Sequence, residues 1–410
     1  MTPTLLFYII IGILIVKFIF DQFLNFENAK HFDDAIPVEL QGIYDDAEYE
    51  KSQRYKKVNF KFGTITSTFS MIVTLLFFFF DGFAFVHDLA SSLSSNSILI
   101  TLFFFGIIFL ASDLINTPFS YYKTFVIEED FGFNKSSKTT FFLDKLKGWL
   151  MAIVVGGSLL ALLTWFYETT KDNFWWFSWI LIGLFTVFMN MFYSKLIVPI
   201  FNKQTPLEEG ELKESIFRFA SKTGFKLDNI FIINGSKRST KANAYFSGFG
   251  SQKRITLYDT LLHDLENDEI VAVLAHEIGH YKRNHIIYNL LLSLSLTGFT
   301  LFLLSLMLKS SLLSEALGVP GTSFHMGLIA FSVLYSPISE ITGFFMNFLS
   351  RKFEYEADDF AKFQFAGKPL IDALKKLSKN SLSNLTPSKL YVKVHYSHPT
   401  LHQRILNLKQ

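Results

Sequence analysis

The sequence predicts a mainly α-helical integral-membrane protein with seven transmembrane helices and one small α+β domain, on three observations. Half of the 410 residues are apolar, and Phe alone supplies 49, well above its usual share. Seven stretches approach the roughly 20 apolar residues that a helix needs to cross a bilayer. Two long polar blocks interrupt them, and the distribution of Lys and Arg puts both blocks on one side of the membrane.

The apolar stretches cover roughly 5–20, 65–80, 98–111, 149–166, 175–192, 286–307 and 326–348. The third is short for a span. The first has nothing basic before it and no small-residue cleavage site after Phe20, so it reads as an anchor and not a signal peptide. Lys30, Lys51, Arg54, Lys56, Lys57 and Lys61 follow the first span, and Lys123, Lys135, Lys138, Lys145 and Lys147 follow the third. The loop at 86–97 has no Lys or Arg, and the next two loops on that side offer only Lys171 and Lys309. By the positive-inside rule the N-terminus lies outside and the C-terminus in the cytoplasm.

The chain then divides into 1–193 (five spans with their loops), 194–285 (first polar block), 286–348 (two spans) and 349–410 (second polar block). Neither block holds enough apolar residues for a large core alone, so the two are expected to pack together against the membrane. In the first block, 208–223 has helical periodicity and ends at Gly224, a C-cap signal. Residues 229–233 read as a short buried strand. Residues 242–249 and 255–258 read as a hairpin closed through Gly250, Ser251 and Gln252. Asn267 or Asp268 caps a helix running through His280 and on towards His285. A net charge of +2 gives no reason to expect nucleic acid. Without cysteine, disulfides and thiolate sites are impossible, so any metal is held by His, Asp or Glu.

The chemistry centres on His276-Glu277-Ile278-Gly279-His280. Residues four apart share a helix face, so both imidazoles reach one ion. Glu277, offset by one residue, is placed to act as general base. Two neutral imidazoles and a carboxylate, with one open position, suit one Zn²⁺ per chain. Third-ligand alternatives are narrowed by Arg283 and Ile286, which stand where an extended motif would need Gly and His. His285 is off-register and reads as a surface or interface residue. The acidic run Glu354-Tyr355-Glu356-Ala357-Asp358-Asp359 follows the last span. On a helix Glu354 and Asp358 share a face while Glu356 and Asp359 point away, so one of the pair is a ligand and the other orients a His. Pro399 starts a final helix, and His398 and Arg404 are candidate hydrogen-bond donors to a developing oxyanion. His263, His395 and His402 read as structural. Asn243, Tyr245 and Phe246 lie on a strand just upstream of the metal helix; as an edge, it would pair with an extended substrate.

With these motifs assembled, the chain resembles the type I CAAX prenyl endopeptidases, a seven-span zinc metalloprotease family also called a-factor-converting or prelamin-processing. The resemblance rests on the metal helix and on residues 125–135 (FVIEEDFGFNK), 235–239 (GSKRS) running into 243–246 (NAYF), 353–358 (FEYEAD) and 395–399 (HYSHP). It implies Glu354 as third ligand, Asp358 behind a ligand His, and His398 and Arg404 near the metal. Asn243 would help to hold substrate. It further implies a water-filled chamber enclosed by the seven helices, with a zincin-like catalytic domain at its cytoplasmic end. The substrates are peptides or proteins, in the family ending in a prenylated Cys followed by three residues that are removed; the lipid bilayer is the other partner. Polar residues within the spans, such as Asp113, Asn190, Glu340 and Asn347, fit chamber walls or helix contacts equally well. Lys241 departs from the pattern, which has a His there.

The Phe-rich, cysteine-free composition favours a bacterial inner membrane over the endoplasmic reticulum. In that setting membrane-protein quality control by a heat-shock-type zinc protease is the rival function, although the Phe131-Gly132-Phe133-Asn134 segment argues against it. An intramembrane protease with its motif inside a span is disfavoured by the charges flanking the metal helix. From another class, a channel or transporter with a structural zinc would have no need of Glu277.

Overall fold

A computed structural model describes residues 1–227, 230–248 and 253–410. Its long apolar helices are α1 (Pro3–Ala29), α2 (Asp46–Phe79), α4 (Ser97–Tyr122), α7 (Phe174–Leu196), α10 (His285–Met307) and α11 (Phe324–Gln364), with α5 (Lys138–Met151) and α6 (Ser158–Thr170) forming one further crossing through a π-helical turn at Ala152–Gly157. A short turn at Lys171–Asn173 separates α6 from α7, so the run from α5 to α7 contains two crossings and the total is seven. The third span is longer than its hydropathy suggests. Its second half is polar, but Asn116, Thr117 and Ser120 bond carbonyls one turn back in their own helix, and Asp113 pairs with Lys145 and Trp149 of α5. Helix continues because those polar groups are satisfied locally or by a neighbour.

The spans touch in a ring: α11–α1–α2, then α3 (Gly82–Leu93) bridging to α4, then α6, α7, α10 and back to α11. Phe62 and Phe69 of α2 also meet Phe119 of α4. Yet no span buries more than 22% of its apolar window, although each has a neighbour on both flanks. Surface open on two sides is what a ring around a central chamber presents, one side to lipid and one to the interior. At one end the ring is closed by α3 and the segment after α10, packed in a cluster that includes Leu6, Val86, Phe104, Leu313 and Phe324.

The opposite end carries the small domain. Its sheet has the order β1 (Gln204–Pro206), β2 (Ile230–Ile233), β4 (Arg254–Tyr258), β3 (Ala244–Ser247), with β2 and β4 parallel and the other pairs antiparallel. The expected hairpin turn at Gly250–Gln252 and the strand start at Asn229 lie outside the described residues. Against the sheet pack α8 (Glu211–Lys222) and α9 (Asn267–Lys282). One core joins Ile216, Phe219, Ile255, Leu257, Ile270 and Leu274 to Ala361, Leu370, Ala373 and Leu408, which lie on the lower part of α11, on α12 (Gly367–Asn380) and, beyond the short α13 (Lys389–His395), on α14 (Leu401–Lys409). Residues from the loops after α1 and α4, including Leu40, Tyr44, Ile127 and Phe133, form a second cluster with Leu382, Leu385 and Ile405.

At 41 residues, α11 is ~60 Å long, about twice the hydrocarbon thickness. It crosses the membrane and continues into the domain without a break. The acidic run is thereby held at a fixed phase relative to the last span.

Candidate metal centre

The helix α9 starts on a reciprocal cap between Glu266 and Glu269, not at the expected Asn267 or Asp268; the Glu side chains reach two of the free amides at the helix start. Its apolar back, Ile270, Val271, Leu274, Ala275 and Ile278, is almost wholly buried. That burial turns the other face, with His276, Glu277 and His280, towards α11. Gly279 makes the approach close: a Cβ there would lie 3.1 Å from the Ala357 backbone and from Phe360 Cβ. A side chain at this position would force the neighbouring backbone of α11 to give way, so glycine suits the close approach of the two helices.

Across this contact, His276 Nε2 and His280 Nε2 are 3.2 Å apart. Glu354 Oε1 lies 3.2 Å from His280 Nε2, and Oε2 lies 3.5 Å from His276 Nε2. One donor atom from each of the three residues falls within 4.8 Å of the others. Among the described residues no other group of His, Asp and Glu converges in this way. Behind them, His276 Nδ1 is 2.8 Å from Asp358 Oδ1, and Asp358, fully buried, receives Nε and Nη2 of Arg404 at 2.9 and 2.6 Å. Burial and the Arg404 charge work against a protonated His276, yet Asp358 and Glu354 prevail and raise its imidazole to about 9. The local field favours a cation.

Glu354 Oε2 is buried and accepts no hydrogen bond among the described residues. A buried carboxylate oxygen without a donor is costly unless a cation completes it. Glu277, Glu354 and Asp358 set three carboxylates against the single Arg404 guanidinium, a surplus suited to a divalent ion. Two imidazoles with a carboxylate are a donor set that suits zinc. The residues therefore fit a resident metal. Glu277 is half-buried and, among the described residues, forms no hydrogen bond or ion pair.

Arg404 sits close to the donors, but two of its nitrogens are committed to Asp358, while Nη1 stands 3.6 Å from Glu354. His398, with a side chain 62% exposed, approaches Glu354 Oε1 at 3.3 Å and is held by Ser397 at 3.0 Å. Of the substrate candidates, β3 is an edge strand of the sheet. Asn243 is exposed just before it, and Tyr245 points towards Ser194 at the end of α7. The Phe246 side chain packs instead on Phe225 and Tyr281 in the core, leaving only its backbone at the edge. Lys241 pairs with Glu128 at 2.9 Å and Tyr55 at 3.1 Å over the ring of Phe133.

Sequence reasoning missed His285. It is not a surface group: only 2% is exposed, with its Nδ1 3.0 Å from His280 Nδ1 and its Nε2 3.0 Å from Glu356. The signal was available in Asn284, which adopts a left-handed φ of 59° and is among the residues that tolerate it. That break ends α9 and returns His285 to the site.

Comparison with known proteins places nearly the whole chain in one family. A family model described as CAAX prenyl protease N-terminal, five membrane helices, matches residues 25–203, and the model of peptidase family M48 matches 206–410. A CAAX prenyl protease 1 homolog of Dictyostelium discoideum is 35% identical, covering 98% of this chain and 96% of that protein. CAAX prenyl protease 1 of Saccharomyces cerevisiae is 34% identical, covering 98% and 94%. The crystal structure of S. mikatae Ste24p superposes with a TM-score of 0.94 at 33% identity, covering 99% of both chains. Relatives from slime mould, yeast, plants and mammals do not fit the bacterial inner membrane favoured by composition. High Phe suits a lipid-facing surface in any organism, so this composition does not decide between the two membranes.

Proposed function

Because this chain belongs to peptidase family M48, among the CAAX prenyl proteases, we propose that it hydrolyses peptide bonds near the C-terminus of prenylated proteins, with one zinc held by His276, His280 and Glu354. It is a multi-pass membrane metalloendopeptidase. The observation that carries the finer reading is the convergence of three donor atoms within 4.8 Å beside an uncommitted Glu277.

A zinc ion in that position supplies a Lewis acid that polarises a carbonyl and acidifies water. Glu277 takes the proton from the attacking water on its carboxylate and passes it to the leaving amine nitrogen. His398, exposed and anchored by Ser397, offers its Nε2–H to the oxygen on which charge develops. Arg404 acts as a positioning residue through Asp358. An extended substrate adds to the free edge of β3, with Asn243 and the backbone of Tyr245 and Phe246 fixing its register. The Lys and Arg distribution supports a cytoplasmic catalytic domain with the N-terminus outside.

Glu277→Ala should keep stoichiometric zinc and lose peptidase activity by roughly 10³-fold or more, since a positioned base alone contributes about 10²–10⁴-fold. Full activity in that variant refutes the assignment. Matched farnesylated and unmodified peptides test the substrate class. A clear kcat/KM preference for the farnesylated form is expected, and equal turnover would favour membrane-protein quality control instead.

A further inference from the structure

His285 opens α10 three residues after α9 ends. Its ring stacks on Phe353 at 4.1 Å and 12°, and both ring nitrogens are engaged inside the protein. A buried imidazole tied at both ends is constrained in tautomer as well as in orientation, because each nitrogen must either donate or accept.

The chain's own chemistry sets the polarity. His280 Nε2 is the nitrogen turned towards His276 Nε2 and Glu354, so it must stay unprotonated to ligate. The proton of neutral His280 then resides on Nδ1, where the hydrogen-bond partner is His285 Nδ1 at 3.0 Å. That nitrogen can only accept, so neutral His285 carries its own proton on Nε2. There it faces Glu356 Oε2 at 3.0 Å, a carboxylate able to accept it. Every donor meets an acceptor with no nitrogen left over. Phe353 fixes the plane of the intermediate ring.

We propose that His285, backed by Glu356, is a positioning residue that locks His280 in its Nδ1–H tautomer and holds its ring in the ligating orientation. The chain thus orients its two ligand imidazoles by different means, His276 directly through Asp358 and His280 through an intervening histidine. The inference rests on the metal-site reading given above.

The test measures zinc affinity of the purified full-length protein by competition with a chromophoric chelator, together with the visible spectrum of the cobalt-substituted form. His285→Leu retains an apolar contact with Phe353 but offers His280 no acceptor. It should bind zinc roughly 10–100-fold more weakly, as expected for loss of a group that orients a metal ligand, and shift the cobalt bands. His285→Asn places an amide oxygen near the former Nδ1 and should recover most of that affinity. Glu356→Ala, at a side chain 37% exposed where folding is not at stake, should weaken zinc by a smaller factor. Wild-type affinity and an unchanged cobalt spectrum in His285→Leu and Glu356→Ala would overturn the proposal. His280→Ala separates the two readings: it should lose zinc outright, and stoichiometric zinc in that variant would sink the metal site itself.

Discussion

The two imidazoles of the site sit in unlike surroundings. His276 is buried, 8% exposed at its side chain, and leans on a carboxylate that is itself clamped by a buried guanidinium. His280 is 21% exposed and leans on another imidazole whose carboxylate partner reaches the surface. The difference follows from their positions one turn apart on α9. His276 faces the phase of α11 that carries Asp358 and the C-terminal helix α14. His280 faces the helix break and the start of α10. One side of the site is a closed ionic lock built into the domain core. The other is a chain of hydrogen bonds through an imidazole to a partly exposed carboxylate, next to the membrane end, with less buried charge to desolvate and more freedom to adjust. Fold stability should therefore depend on the His276 side and ligand adjustment on the His280 side.

Asp358→Ala gives the largest expected effect. It leaves the Arg404 guanidinium buried without its bidentate partner, a loss on the order of 3–5 kcal/mol, and it removes the acceptor for His276. Thermal unfolding in detergent should show a large drop in Tm, with zinc lost as well. A variant with wild-type Tm would end the description of that side as a lock. His285→Leu, by contrast, should move zinc affinity with a far smaller change in Tm. Next in size is Gly279→Ala. Its methyl group would meet Ala357 and Phe360 at 3.1 Å, and such overpacking typically costs about 1–3 kcal/mol. Because α9 would be pushed from α11, Glu354 should separate from both imidazoles, and chelator competition should register weaker zinc on the two sides alike. An effect confined to one side would show that the helices shift by rotation and not by separation.

Much of this arrangement is legible from local rules. Hydropathy alone finds the seven crossings, since a span must satisfy its backbone within one helix. Four-residue spacing puts His276 and His280 on one face, and the same rule pairs Glu354 with Asp358. What is not legible depends on breaks and on long-range packing. Reading α9 as continuous through His285 turns that side chain off the site; the left-handed residue at Asn284 starts a new helix and reverses the outcome. The loops after α1 and α4 carry scattered apolar residues such as Leu40, Ile127 and Phe133, with no period to announce that they join a core. Nothing in the strand pattern of 243–247 says which face is inward, and Phe246 turned out to serve the core while Tyr245 faces the membrane end.

The smallest effect concerns the joint between the domain and the ring. Residues 133–135 pair by backbone with 238–240, Thr240 donating to Phe133 and Lys135 to Arg238. Arg238 grips Asp144 of α5 with two nitrogens, and Lys241 closes the contact through Glu128, Tyr55 and the Phe133 ring. Lys241 is 37% exposed and Glu128 18%, so water and salt screen the pair, and a discounted loss of about 1 kcal/mol or less is expected for Lys241→Ala. Zinc affinity should not change, because this strut touches neither imidazole support. It does immediately precede Asn243 and β3, so KM for a peptide substrate should rise while kcat holds. A variant that weakened zinc as much as His285→Leu would mean that the joint and the His280 side act as one unit, and the contrast between locked and adjustable halves would have to be redrawn around the domain–membrane boundary.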